Sequence, residues 1–332
     1  SQFAVFKVLP QYDTVRQAKL DEVKEDKMPK DSLFAVNLSN GEVYQHERVK
    51  SYKMPEEAGG WMAFLLEEPL PEDDTTDSKK ETKGHELVLL NMKDMNEQRF
   101  SGVEDYLFAE NGSMLLFNTV KDSTKSAGVF AFDTEEKALV VLDSGKVTYK
   151  NLALSEDGSR SAFTATEDSL KAEERFYSLY LWDNDLRQVA DTASVGIFEN
   201  WMINEYETPF FSEDASKLFF GTSPRTEKFA YEEDTTILEE ERAMVDVWSW
   251  KDDYVQPMQK LQAEDEKKRA YMTMYDIDRQ RIVPLADEEM QDLRIDQEKR
   301  LPYAIGISNK PYRQANPRVF LFRRDAFLVD LT

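Results

Sequence analysis

The sequence predicts an all-β chain, a β-propeller of about six four-stranded repeats, and two interleaved signals carry that prediction. A short apolar run closes on Asn or Asp and then turns at six places: Leu33 to Asn37, Leu87 to Asn91, Val129 to Asp133, Leu179 to Asp183, Met272 to Asp276 and Phe327 to Asp330. The closing residues lie 54, 42, 50, 93 and 54 positions apart. A period of roughly 40 to 50 residues with several short strands per unit is what a propeller blade needs. The gap of 93 spans about two periods, so it holds a weak extra blade or a large insertion. Between these runs a polar turn and a strand recur: Glu56 to Phe64, Glu110 to Phe117, Glu156 to Phe163, Glu213 to Phe220 and, degenerately, Glu298 to Ile305. Asp-Gly and Asn-Gly supply the positive φ of a two-residue hairpin turn. An antiparallel sandwich is the competing architecture, but it has no reason to repeat its turn chemistry at a fixed period.

Taken in order, the first repeat opens with the strand Phe3 to Val8, and Val15, Ala18 and Val23 give its first insertion a loose helical stripe. The clearest copy shows four strands, A to D: Asn151 to Ser155, Arg160 to Thr166, Ser178 to Asp183 and Arg187 to Ala190. Long connections fall between strands B and C: Pro10 to Asp31, Glu67 to His85, Lys121 to Ala127, Glu167 to Tyr177 and Asn309 to Asp325. In an up-and-down blade all of these lie on one face, which in repeat proteins is often the binding face. The segment from Pro69 to Gly84 has no apolar residue after Leu70 and reads as mobile. The largest insertion spans 225–268, and the alternation of Val245 to Asp253 within it suits a displaced strand C. The first blade lacks strand A and the last lacks strand D. The expectation is an open or incomplete ring whose missing strands lie outside this chain.

Composition narrows function by exclusion. A net charge of −23 argues against a nucleic-acid partner, which demands clustered Lys and Arg. Absence of cysteine removes disulfides, thiolate metal sites and thiol nucleophiles. No run approaches the roughly 18 apolar residues of a membrane span. No Gly-x-Ser-x-Gly elbow is present, and His46 and His85 are the only imidazoles, each read as an ordinary surface histidine. Asp73, Asp74 and Asp77 lack the spacing of a calcium loop, so neither a metal nor another cofactor is expected. No catalytic residue is assigned.

The unit Ser155 to Phe163 resembles the repeat shared by TolB-like propellers and the propellers of prolyl oligopeptidase-type serine peptidases. Tyr177 to Asp183, Ser216 to Arg225, Val245 to Pro257 and Ser308 to Arg313 together look like the N-terminal, non-catalytic region of a large bacterial, dipeptidyl aminopeptidase-like member of that family. The resemblance implies a periplasmic or otherwise exported protein in which the propeller sits over an α/β-hydrolase domain, screens peptide substrates by size and holds the peptide's end. This chain carries only the propeller part, so it is expected to have no peptidase activity by itself. In the dipeptidyl-peptidase branch a Trp followed by paired glutamates grips the free amino terminus. Trp201, Glu205 and Glu207 match that pattern, except that Tyr206 separates acids that the branch has adjacent. Two carboxylates suit an α-ammonium. The other reading is a stand-alone TolB-like propeller that binds a protein or glycan.

Overall fold

The structure, a computed structural model, describes residues 2–67, 84–121, 126–225, 248–296, 300–316 and 321–332. These form two compact units, Ser1–Arg175 with Leu179–Gln188, and Phe176–Ser178 with Val189–Thr332. The first sheet holds β1 (Phe3–Val8), β2 (Ser32–Asn37) and β3 (Val43–His46), antiparallel and in chain order. It is the B-C-D set that the sequence predicts. Helix α1 (Tyr12–Leu20) lies in the β1–β2 connection, where the stripe of Val15 and Ala18 places it.

The next two repeats share one seven-stranded sheet of β4 (Val49–Lys53), β5 (Trp61–Leu66), β6 (His85–Asn91), β7 (Glu97–Phe108), β8 (Met114–Thr119), β9 (Gly128–Asp133) and β10 (Ala138–Ser144). They are joined because β7 runs for 12 residues, pairing β6 as one repeat's strand D and then β8 as the next repeat's strand A. At the hand-over Gly102 has φ +77, and a Cβ on Gly84 would lie 2.3 Å from its carbonyl. Pairing runs on through this glycine, with Val103 opposite both His85 and Thr119, so the two expected strands are one.

Apolar runs, rather than a clean polar alternation, follow from burial on both faces. On β5 and β6, Met62, Phe64, Val88 and Leu90 enter one cluster with Leu33 and Ala35, while Ala63, Leu65, Leu87 and Leu89 enter another with Leu115 and Phe117. Each residue therefore packs against the repeat that precedes or follows its own. Burying one such side chain contributes about 1.5–3 kcal/mol.

The best sequence copy becomes a four-stranded sheet of β11 (Thr148–Leu154), β12 (Ser161–Thr166), β13 (Ser178–Trp182) and β14 (Leu186–Ala190), in that order. In the second unit, β15 (Trp201–Ile203) and β16 (Phe210–Phe211) both pair β17 (Lys217–Pro224). Helix α2 (Gln256–Lys267) precedes β18 (Tyr271–Asp276) and β19 (Arg281–Pro284), which complete that sheet. The last sheet, β20 (Asp292–Arg294), β21 (Tyr303–Ser308) and β22 (Asp325–Asp330), is the A-B-C set without a D. The predicted strand in the large insertion is corrected here. Residues 248–253 form no strand and turn at 250–251, and β18 is strand C, paired with β17 from Lys217 opposite Asp276 to Thr222 opposite Tyr271. Alternation alone misled: among the described residues no strand pairs with Trp248 and Trp250, which are exposed. Val245 and the acidic run before it lie outside the described residues, as do most of the Pro69 to Gly84 segment and Asp73, Asp74 and Asp77.

The closing Asn and Asp residues have a shared task. Side-chain Oδ1 atoms of Asn37, Asn91, Asp133 and Asp276 accept backbone N–H groups of Ser39, Lys93, Glu135 and Arg279 at 2.8–3.0 Å, shaping the C-to-D turn. Asp183 instead pairs Arg187 at 2.5 Å. The A-to-B turns are longer than the two residues expected: Ala109, Ser155 and Ser212 donate their N–H to Met114, Arg160 and Lys217 carbonyls, closing four-residue loops. Gly112 and Gly158 still supply the positive φ, at +74 and +75.

Candidate functional site: an enlarged bulge in strand A

Strand A of the second unit's first sheet is split. Trp201, Met202 and Ile203 pair regularly with Pro224, Ser223 and Thr222, and pairing resumes only at Phe210 opposite Phe219. Seven steps along strand A face three along strand B, so the chain makes an excursion over 204–209 that carries Glu205, Tyr206 and Glu207. The two glutamates stand on a loop pushed out of the ladder.

Three features hold this loop. Asn204, only 3% exposed, accepts the N–H groups of Tyr206 and Glu207 on Oδ1 at 2.8 and 3.2 Å. Its Nδ2 donates to the Arg269 carbonyl at 3.0 Å, and its own N–H to the Gly221 carbonyl at 2.9 Å. Opposite, Gly221 leaves room for the turn: a Cβ there would sit 2.5 Å from Glu207 Cβ and 2.9 Å from Ala270 Cβ. None of these residues was singled out from sequence. A usable signal existed, since Asn204 precedes Ser212 by eight residues where Asn151 precedes the matching Ser155 by four.

The two carboxylates differ. Glu205 Oε2 accepts from the Tyr177 hydroxyl at 3.3 Å. Glu207 is half-buried, and that burial raises its carboxyl above the usual range. Trp201 does not reach solvent freely. Its ring packs edge-on to Phe198 and against Tyr271, each at 5.0 Å between centroids, and it anchors the start of the excursion. The structure thus gathers the three sequence-predicted residues on one interrupted strand but gives Trp201 a supporting part. What the loop offers chemically is negative charge, partly desolvated, with an aromatic neighbour in exposed Tyr206.

A second concavity, a cleft of about 350 Å³ in the first unit, opens at the tight-turn end and is lined by Gly60, Trp61, Asn91, Lys93, Glu135 and Lys137. Its two lysines make it a poor host for a cation. His85 is committed elsewhere, with Nδ1 2.9 Å from the Leu66 carbonyl and Nε2 2.8 Å from Lys50 Nζ, and His46 Nδ1 lies 2.8 Å from the Glu47 carbonyl. Among the described residues no group of three or more His, Asp or Glu is placed to hold a metal ion. No helix among them is long and apolar enough to cross a membrane.

No family model matches the sequence, and no curated protein matches it. Solved structures similar to this chain include propeller domains of peptidases. The β-propeller domain of the Trilobed protease from Pyrococcus furiosus shares 10% identity over 99% of this chain and 92% of its own, with a TM-score of 0.40. Acylaminoacyl peptidase of Pyrococcus horikoshii shares 9% over 93% of this chain and 41% of its own, at 0.45. Dipeptidyl peptidase 4 of Porphyromonas gingivalis shares 14% over 85% and 40%, at 0.44. This chain therefore spans about two fifths of the length of those two peptidases. At such identities and TM-scores these likenesses assign the chain neither a family nor an activity.

Proposed function

We propose that this chain is the non-catalytic propeller of a prolyl oligopeptidase-type serine peptidase, a lid and docking surface that passes peptides to an α/β-hydrolase domain and holds their free amino termini at Glu205 and Glu207. The observation that carries the reading is the excursion over 204–209. A propeller blade needs no such loop, and this one lifts two acids out of the ladder and partly desolvates one of them. An ionised carboxylate in that setting gains from a cationic partner, and an α-ammonium supplies both charge and hydrogen-bond donors. The residue resemblance through Trp201 supports the same reading.

Calorimetric titration of the chain with alanyl-alanine amide and with its N-acetylated form tests the amine site. The free amine is expected to bind at least tenfold more tightly, and Glu205→Gln with Glu207→Gln to remove the difference; equal affinity for the two ligands defeats the reading. Fluorophosphonate labelling of the intact natural protein tests the peptidase assignment. Absence of labelling leaves the TolB-like binding propeller in its place.

A further inference from the structure

We propose that Asn204 is the positioning residue of this site: it fixes the backbone that presents Glu207 and ties it to the segment that enters β18. The inference rests on the amine-binding reading above and adds to it the residue on which the geometry depends. A six-residue excursion has backbone N–H groups that the ladder no longer satisfies, and unpaired N–H groups near a core are costly. Asn204 replaces two of those lost bonds with one carbonyl oxygen, which takes both Tyr206 N–H and Glu207 N–H. Both lone pairs of that oxygen are then in use, which fixes the side chain's orientation.

The amide's other end decides where the turn sits. Nδ2 donates to the Arg269 carbonyl, 65 positions away in sequence, so the loop is pinned to the chain arriving from α2. A Cβ on Gly221 would meet both Glu207 Cβ, at 2.5 Å, and Ala270 Cβ, at 2.9 Å, so glycine there leaves the space that the loop takes. Lys268 Nζ lies 6.0 Å from the Tyr206 ring, adding a second contact between the same two segments. Serine, which can accept on its hydroxyl but reaches less far, is expected to keep part of this function, and alanine none.

The test uses the whole chain with Asn204→Ser, Asn204→Ala and Glu207→Gln, read by calorimetric titration with alanyl-alanine amide and by NMR titration of the Glu207 carboxyl. Affinity is expected to fall at least tenfold in Asn204→Ala and less in Asn204→Ser. The Glu207 titration is expected to move back toward an ordinary glutamate in the same order, a change that general destabilisation does not produce. If Asn204→Ala does not fold, the serine variant decides: wild-type affinity and an unmoved Glu207 titration overturn the inference. If Glu207→Gln abolishes binding while both Asn204 variants bind like wild type, the positioning role fails and the amine site stands. If the wild-type chain does not distinguish the free amine from its acetylated form, the underlying reading fails first.

Discussion

Two A-to-B hairpins of this molecule start and end alike and differ in the middle. In the first, β11 pairs β12 through Thr148, Tyr149 and Lys150, skips at Asn151 and Leu152, and resumes at Ala153 and Leu154 before Ser155. In the second, β15 pairs β17 through Trp201, Met202 and Ile203, leaves the ladder at Asn204, and resumes at Phe210 and Phe211 before Ser212. The turns that follow are near copies: Ser155 and Ser212 each donate to an Asp, Asp157 or Asp214, at 2.6 Å, and each Asp accepts a backbone N–H from Ser159 or Ser216 at 3.0 Å. One hairpin has a two-residue bulge, with Asn151 at φ +55, and the other a six-residue loop. The lesson is that a β-bulge is a permitted site of growth. Pairing on both sides keeps the sheet intact while the added residues leave the ladder.

The comparison breaks most readily at the glycine that only the second hairpin needs. Gly221→Ala, which forces Cβ against Glu207 and Ala270, is expected to cost about 3 kcal/mol by overpacking, measured by urea denaturation, and to weaken amine binding with it. Next comes Gly158→Ala. Its φ of +75 and the 2.5 Å approach of Ser113 Oγ predict a loss of about 2 kcal/mol. The matching position in the second hairpin is already Ala215, at φ +53. Ala215→Gly should therefore change stability by less than about 1 kcal/mol, since relief of strain offsets the flexibility gained by the unfolded chain.

Smaller effects concern charge. Glu207 has a raised carboxyl in the folded chain, so its contribution is fully present below the ordinary glutamate range and is lost as pH rises through the raised value. Glu207→Gln should thus stabilise the protein slightly near neutral pH, seen as a rise in Tm, even as it removes amine binding. Asp157 and Asp214 behave in the opposite sense. Partial burial would raise them, but hydrogen bonds from Ser155 and Ser159, and from Ser212 and Ser216, more than offset it and hold both below the usual carboxylate range. Their contribution is present above the unfolded aspartate range and is lost as pH falls through the lowered values. Urea midpoints of Asp157→Asn and Asp214→Asn should converge on wild type as the solution is acidified.

The blades were legible because their chemistry repeats. Asn37, Asn91, Asp133 and Asp276 close strand C since each caps the turn with its own side chain, and that requirement is written in residue type. The fusion through β7 was not legible, because it depends on Gly102 continuing a strand where a link was expected. Trp248 to Asp253 was misread for the converse reason: alternation predicts a strand only where a partner edge exists. Trp201, Glu205 and Glu207 were singled out as candidates by pattern. The loop that carries them depends on Asn204 and Gly221, whose roles arise from Arg269 and Ala270, distant in sequence.

The most direct test of the enlarged bulge is to undo it, replacing Asn204–Pro209 by Asn-Leu-Thr, three residues opposite Phe220 and Gly221, so that the second hairpin keeps only the one-residue surplus of the first while β17 holds its register with β18. Cooperative unfolding close to the wild-type Tm with no measurable binding of alanyl-alanine amide is the predicted result. Retained binding, or a chain that no longer folds, would contradict the claim that the excursion is an addition to a complete blade and the seat of its function.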